Sequence, residues 1–192
     1  MKLEKMALFY GKEMYKLFMN KRLTDYFYHA EDGYQYFKAG MKCKIISGDM
    51  AANAQNICER YLKFVIESLH EMGKITNLNV KIMHSYNLRT LINYIEEVGV
   101  EVLDRDIIVL ANSYYFSSRY PSDNTVIVRE KDLIGCDKVV ESSREFAKKI
   151  KDYKDNWLKE NEKKDLCDRE LKENNDIKMK HMSLFNGLDF SD

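Results

Sequence analysis

Apolar side chains recur every third or fourth residue along most of this 192-residue chain, and a single proline, Pro121, interrupts it. That period constrains the fold strongly. At 3.6 residues per turn such positions share one face of a helix, whereas a half-buried strand needs alternation every second residue. Tyr26, Phe27, Ala30, Tyr34, Phe37, Met41 and Ile45 make the first such face and predict a helix over 23–46. Ser47-Gly48-Asp49 breaks the run, and Asp49 is placed to cap a second helix over 49–72. Its stripe of Met50, Ala54, Ile57, Cys58, Tyr61, Leu62, Val65, Ile66 and Leu69 is the clearest in the chain. Gly73 ends it, and the polar stretch to about His84 reads as a loop.

Leu88, Leu91, Ile92, Ile95 and Val98 predict a third helix over 86–98, with Gly99 as its C′ residue. Asp104 is positioned to cap a fourth, over 103–118, with Leu103, Ile107, Leu110, Ala111, Tyr114 and Tyr115 facing inward. It stops before Pro121, because a residue preceding proline is pushed out of the α region. A fifth, over 131–157, carries Ile134, Val140, Phe146, Ala147 and Ile150. Thr125 to Val128 is the one strand-like run, and it is short. The expected fold is therefore all-α: an up-and-down helical bundle of four to five helices over 23–157. An amphipathic N-terminal helix (1–22) precedes it and a charged C-terminal extension (158–192) follows. Residues 151–180 mix charges of both signs, as an exposed helix or a partly disordered tail. Met182, Leu184, Phe185, Leu188 and Phe190 then form a short apolar segment suited to docking on a partner or on its own domain.

Composition excludes several classes. Lysine plus arginine and aspartate plus glutamate number 31 each, so nucleic acid could be held only by a local patch and not by bulk charge. No run approaches the ~18 apolar residues needed to span a bilayer. Glu4, Lys5, Lys12 and Glu13 break up any secretory apolar core at the N-terminus. The four cysteines, Cys43, Cys58, Cys136 and Cys167, are widely spaced, which suits free thiols in a reducing cytoplasm. No cysteine or histidine stands at ligand spacing from another, so neither a metal nor a cofactor is expected. Walker, dinucleotide-binding, zincin, hydrolase-elbow, kinase and nucleotidyltransferase patterns are not found in the sequence.

Four short motifs in order carry a resemblance. AANAQNICERYLKFVI, Ala51 to Ile66, is similar to the second-helix signature of the HEPN family, with Gln55, Glu59, Leu62 and Lys63 in register. Upstream, Ala30-Glu31-Asp32 looks like the family's first-helix motif. Downstream, HSYNLRTLI resembles the entry to its third helix, with His84 or Tyr86 in the histidine's place, and SSRYP resembles the close of its fourth. Together they span about residues 25–150. The resemblance implies a helical bundle that dimerises or pairs with a nucleotidyltransferase. It also implies a protein of a bacterial toxin–antitoxin or antiviral defence system that cuts RNA without a metal, or binds RNA or a nucleotide.

The active members pair an arginine, for the phosphorane charge, with a histidine that follows after four to six intervening residues, for proton transfer. Here no histidine follows Arg119 before His181, so the R-x(4-6)-H motif is missing from its usual place. Arg22 and His29 have six residues between them and form the one stray match, and His84 is a further catalytic candidate. The leading expectation is an RNA- or nucleotide-binding protein whose Arg119 grips a phosphate while Tyr115 or Tyr120 stacks a base. Arg119 equally suits a cap on the negative end of its helix. Glu59 and Lys63 form an i,i+4 pair, read as a surface pair from composition and as a groove-lining pair from the resemblance. Gln55 and Asn56 need polar partners if they are buried. The alternatives are a metal-independent endoribonuclease with an unorthodox Arg/His pair and a structural adaptor.

Overall fold

The computed structural model describes residues 25–102, 104–113 and 127–185. Every regular element among these is helical: α1 (Tyr26–Lys42), α2 (Gly48–Glu71), α3 (Val80–Met83), α4 (Leu88–Glu96), α5 (Arg105–Leu110), a 3-10 turn (Ala111–Ser113) and α6 (Glu130–Phe185). No strand occurs among the described residues, and Ile127 and Val128 have no regular structure. Arg22, Tyr115, Arg119, Tyr120, Pro121, Leu188 and Phe190 lie outside them, as does the N-terminal helix expected over 1–22.

Local chemistry moves several boundaries from those the periodicity predicts. Helix α1 ends at Lys42, not at 46, because Lys44 turns left-handed (φ +54). Its N–H then donates to the Met41 carbonyl and that of Ile45 to the Gly40 carbonyl, each at 3.0 Å. This is a Schellman closure, and it carries Ile45 off the apolar face into solvent. Ser47, not Asp49, caps α2: its hydroxyl accepts from the Met50 N–H at 3.2 Å, and Asp49 stands inside the first turn. Ser47→Ala is expected to cost about 1 kcal/mol, read as a lower urea midpoint at unchanged slope.

Gly73 closes α2 as expected, in left-handed backbone (φ +72). The predicted loop after it contains α3, a single turn too short to show a period, capped by the Asn79 side chain. Asn87 caps α4, so Tyr86 lies outside that helix. Gly99 stands two residues beyond the C-cap Glu97, not one. Asp104 is itself left-handed (φ +56) and gives α5 no side-chain cap, so the expected role fails there. Ile108 is the buried residue of α5, while Ile107 and Leu110 are exposed. Likewise Leu133 takes the inward place predicted for Ile134, in register with Cys136, Val139, Val140, Ser143 and Phe146. Helix α6 runs to Phe185, far past the expected 157. No glycine or proline interrupts it between Gly135 and Gly187, and pairs such as Asp155–Lys159 and Glu160–Lys164 have the favourable i,i+4 order.

Contacts divide the chain into Met1–Lys151 and Asp152–Asp192. In the second unit the described residues are helical to Phe185, with Tyr153, Leu158 and Leu166 exposed. In the first, α2 is central: 16 of its 24 residues are buried. Partners on α1 and α2 run in opposite senses: Phe27 packs on Phe64, Gly33 abuts Ile57 and Gly40 abuts Met50. Partners on α1 and α6 do the same, with Glu31 to Arg144, Tyr34 to Glu141 and Lys38 to Asp137. Helix α1 is therefore antiparallel to both, as an up-and-down bundle requires. Phe37, Ile57, Leu62, Ile66, Leu91, Ile92, Ile95 and Val140 fill the core.

A polar network binds α1 to α6 at the edge of that core. Arg144 grips both Glu31 oxygens at 2.8 Å and lies over the Tyr34 ring, 4.0 Å from its centroid. Tyr61 donates to Glu31 at 2.7 Å, and Lys38 reaches Asp137 and Glu141 at 2.7 and 3.0 Å. Burial by itself raises the Glu31 carboxyl, but the Arg144 and Tyr61 donors outweigh it and hold it below the ordinary carboxylate range. Glu141 is lowered in the same way, burial being overcome by Lys38 and Tyr34.

Candidate functional site

Three polar residues recur at four-residue intervals along α2: Gln55, Glu59 and Lys63. That spacing sets them one above another on a single face of the helix. A surface pair would be solvated, yet Gln55 is 0% exposed, Glu59 7% and Lys63 5%. The composition-based reading of Glu59 and Lys63 as a helix-surface pair is thereby overturned. Two thirds of α2 is buried, and its polar stripe is enclosed with the rest.

Lys63 Nζ donates to Glu59 Oε1 at 2.6 Å. The same ammonium lies 5.5 Å from the Tyr86 ring centroid and 5.8 Å from that of Tyr26, within cation–π range of both. Tyr26 opens α1, and Tyr86 stands in the loop between α3 and α4. Gln55 holds that loop, its Nε2 donating to the Tyr86 carbonyl at 2.7 Å. Its Oε1, and Glu59 Oε2, are buried with no hydrogen-bond partner. Burial pushes the Tyr26 hydroxyl above its ordinary value, and the Glu67 and Glu59 carboxylates push it further in the same direction.

The site is thus an ion pair of zero net charge with two buried, unpartnered acceptors, flanked by aromatic rings. Unpartnered acceptors sealed from water are costly, at about 1–3 kcal/mol each. A ligand that brings N–H or O–H donors relieves that cost.

The other sequence candidates are placed as follows. His29 lies half-buried on α1, its carbonyl tied to Arg60 Nη1 at 3.1 Å. His84 is the exposed C-cap residue of α3, two positions before Tyr86. Sequence reasoning missed Tyr26, read only as a core position, and weighed Tyr86 only as a stand-in for histidine. Their aromatic role depends on the approach of α1 and the α3–α4 loop to α2, which no local pattern records.

Two further features carry no comparable chemistry. A groove of about 500 Å³ runs between α5 and the start of α6, lined by Ile107, Leu110, Lys131, Lys138, Cys136 and Val139 among others. Burial pushes the thiols of Cys136 and Cys58 up to about 12, so neither is a thiolate nucleophile at neutral pH. Among the described residues, no group of three or more His, Cys, Asp or Glu side chains is placed to hold a metal ion. No helix among them is long and apolar enough to cross a membrane.

No protein-family model, no curated protein and no solved structure matches this chain.

Proposed function

We propose that this chain is a HEPN-like helical-bundle protein that binds RNA or a nucleotide without the R-x(4-6)-H ribonuclease motif. In this reading it works in a toxin–antitoxin or defence setting, as a homodimer or beside a partner such as a nucleotidyltransferase. The observation that supports it is the enclosed Gln55–Glu59–Lys63 stripe between Tyr26 and Tyr86. Three of the four residues of the second-helix resemblance are these same residues, and a buried ion pair is poor material for stability alone. Polar groups with unused acceptors beside aromatic rings suit a flat heterocycle with N–H donors. Phosphate contact falls to Arg119 in this reading, on the ground of its place in SSRYP.

The test compares wild type, His29→Ala, His84→Ala and Arg119→Ala. Each is assayed for RNA cleavage in EDTA and for RNA binding as a function of salt. The expected result is no cleavage by any of the four. Binding should weaken in Arg119→Ala, with the salt slope flatter by about 0.7 for a single-stranded ligand. Cleavage that disappears in one histidine variant would establish the metal-independent endoribonuclease instead. If nothing is cut and no RNA is bound, the chain is an adaptor; RNA binding unchanged in Arg119→Ala removes Arg119 as the phosphate contact.

A further inference from the structure

We propose that the groove between α5 and the start of α6 binds a small amphipathic anion, an alkyl chain that ends in a carboxylate. The groove shares no residue with the α2 stripe and holds no reactive group, so what it offers is binding alone. Its volume of about 500 Å³ lies within the range of small-molecule sites, roughly 300–1,000 Å³. Part of its wall is apolar surface that the fold leaves in water. Ile107 and Leu110 are 38% and 66% exposed, although Ile108 beside Ile107 is fully buried. Helix α5 has six residues, fewer than two turns, which is a short face for a partner helix. An occupant small enough to lie within the groove covers those side chains instead.

Gly135 lines the groove from α6, and a Cβ added there would meet no heavy atom within 4 Å. The two glycines of α1 differ from it. At Gly33 and Gly40 a Cβ would come within 2.9 Å of Ile57 and 2.6 Å of Met50. Packing demands those two and does not demand Gly135, although glycine inside a helix is less stable than alanine. What its missing side chain leaves is free volume in the groove. Lys131 stands four residues before it and Lys138 three residues after, so the three share one side of the helix. Both lysines line the groove and both are exposed. Among the described residues neither has an ion-pair partner. Asp132, the acid of the lining, is engaged: its Oδ2 accepts from the Arg129 N–H at 2.9 Å. Two ammoniums against one carboxylate leave the groove net positive, which favours an anion over a cation. The apolar walls favour an alkyl chain over a sugar, whose hydroxyls they cannot partner.

In the test, decanoate, decanol and decyltrimethylammonium, each below its micellar concentration, are titrated into the full chain by calorimetry. Decanoate should bind once per chain, about fivefold tighter than decanol, with decyltrimethylammonium the weakest. Added salt should shrink the margin over decanol. From octanoate to decanoate the affinity should rise about two- to fourfold per methylene. Gly135→Leu should abolish binding while the circular dichroism spectrum is unchanged and the melting temperature holds or rises, because its side chain enters free space and favours the helix. The double variant Lys131→Gln/Lys138→Gln should bring decanoate down to the affinity of decanol. Leu110→Ser, at an exposed position, is the second probe of the wall and should weaken decanoate and decanol alike. Decanoate bound no tighter than decanol, binding untouched by Gly135→Leu and Leu110→Ser, or uptake of many ligands per chain without saturation overturns the inference. So does a wild-type dimer that becomes a monomer in Gly135→Leu with no decanoate bound by either, which would give the groove to a second copy of the chain.

Discussion

Lys63→Ala will lower the stability of the bundle by about 3–5 kcal/mol, the largest loss expected from any single polar substitution in it. The substitution leaves the Glu59 carboxylate in a site that is 7% exposed, with neither oxygen bonded to Lys63. It also removes the cation that lies between the Tyr26 and Tyr86 rings. In urea the midpoint should drop at nearly unchanged slope, and thermal melting should fall by more than 10 °C, since a domain of this size shifts roughly 4 °C per kcal/mol. The double variant Glu59→Leu/Lys63→Met should recover most of the loss, or exceed wild type, because it removes both desolvated charges together. A loss below about 1 kcal/mol in Lys63→Ala would mean that water reaches the carboxylate and that the pair behaves as an exposed one. Recovery in the double variant would mark the ion pair as a feature kept for something other than stability.

Arg144→Met should cost about 2–3 kcal/mol at neutral pH, and that cost should shrink in acid. The residue makes two 2.8 Å bonds to Glu31 and stacks on Tyr34, so its loss unties α1 from α6. Both partners are about one-fifth exposed, which keeps the value under that of a fully buried pair. The Glu31 carboxyl is held below its ordinary value in the folded chain, so the unfolded chain takes up its proton first as pH falls. Stability from Glu31, and from Glu141 beside Lys38, is therefore complete above pH ~5 and lost as pH drops through ~4 toward the folded-state values. Wild type and Arg144→Met should differ most at pH 7 and draw together as pH falls below ~4. Curves that stay parallel across that range would show that Glu31 is not the group through which Arg144 acts.

The helical class, the order of the elements and the extent of α2 were legible because each depends on a repeat of a few residues. Met50 to Leu69 keeps its period over about five turns, and the expected 49–72 differs by one residue at each end from Gly48–Glu71. Boundaries were less legible where one side-chain or backbone bond decides them. The closure at Lys44, the Ser47 cap and the uncapped Asp104 each turn on a single geometry that a period does not encode. One-residue errors of register followed, at Ile108 for Ile107 and Leu133 for Ile134, since neighbouring apolar residues satisfy the same pattern equally well.

For the site, Gln55, Glu59 and Lys63 could be set on one helix face from spacing alone, because i, i+4 and i+8 share a face wherever the helix lies. Whether that face meets water could not. A Glu–Lys pair four residues apart is written the same way on an exposed helix worth a few tenths of a kcal/mol and on a helix enclosed by its neighbours. Tyr26 on α1 and Tyr86 on a loop that Gln55 itself holds pack on the stripe, partners 23 to 37 residues away from the members they touch. The same holds for Arg144 and Glu31, 113 residues apart. Short-range repetition writes helices into a chain, while burial and charge pairing arise only when distant helices are brought side by side. That is why the polar stripe could be read from the residues, and its enclosure and its two unused acceptors only from the packed bundle.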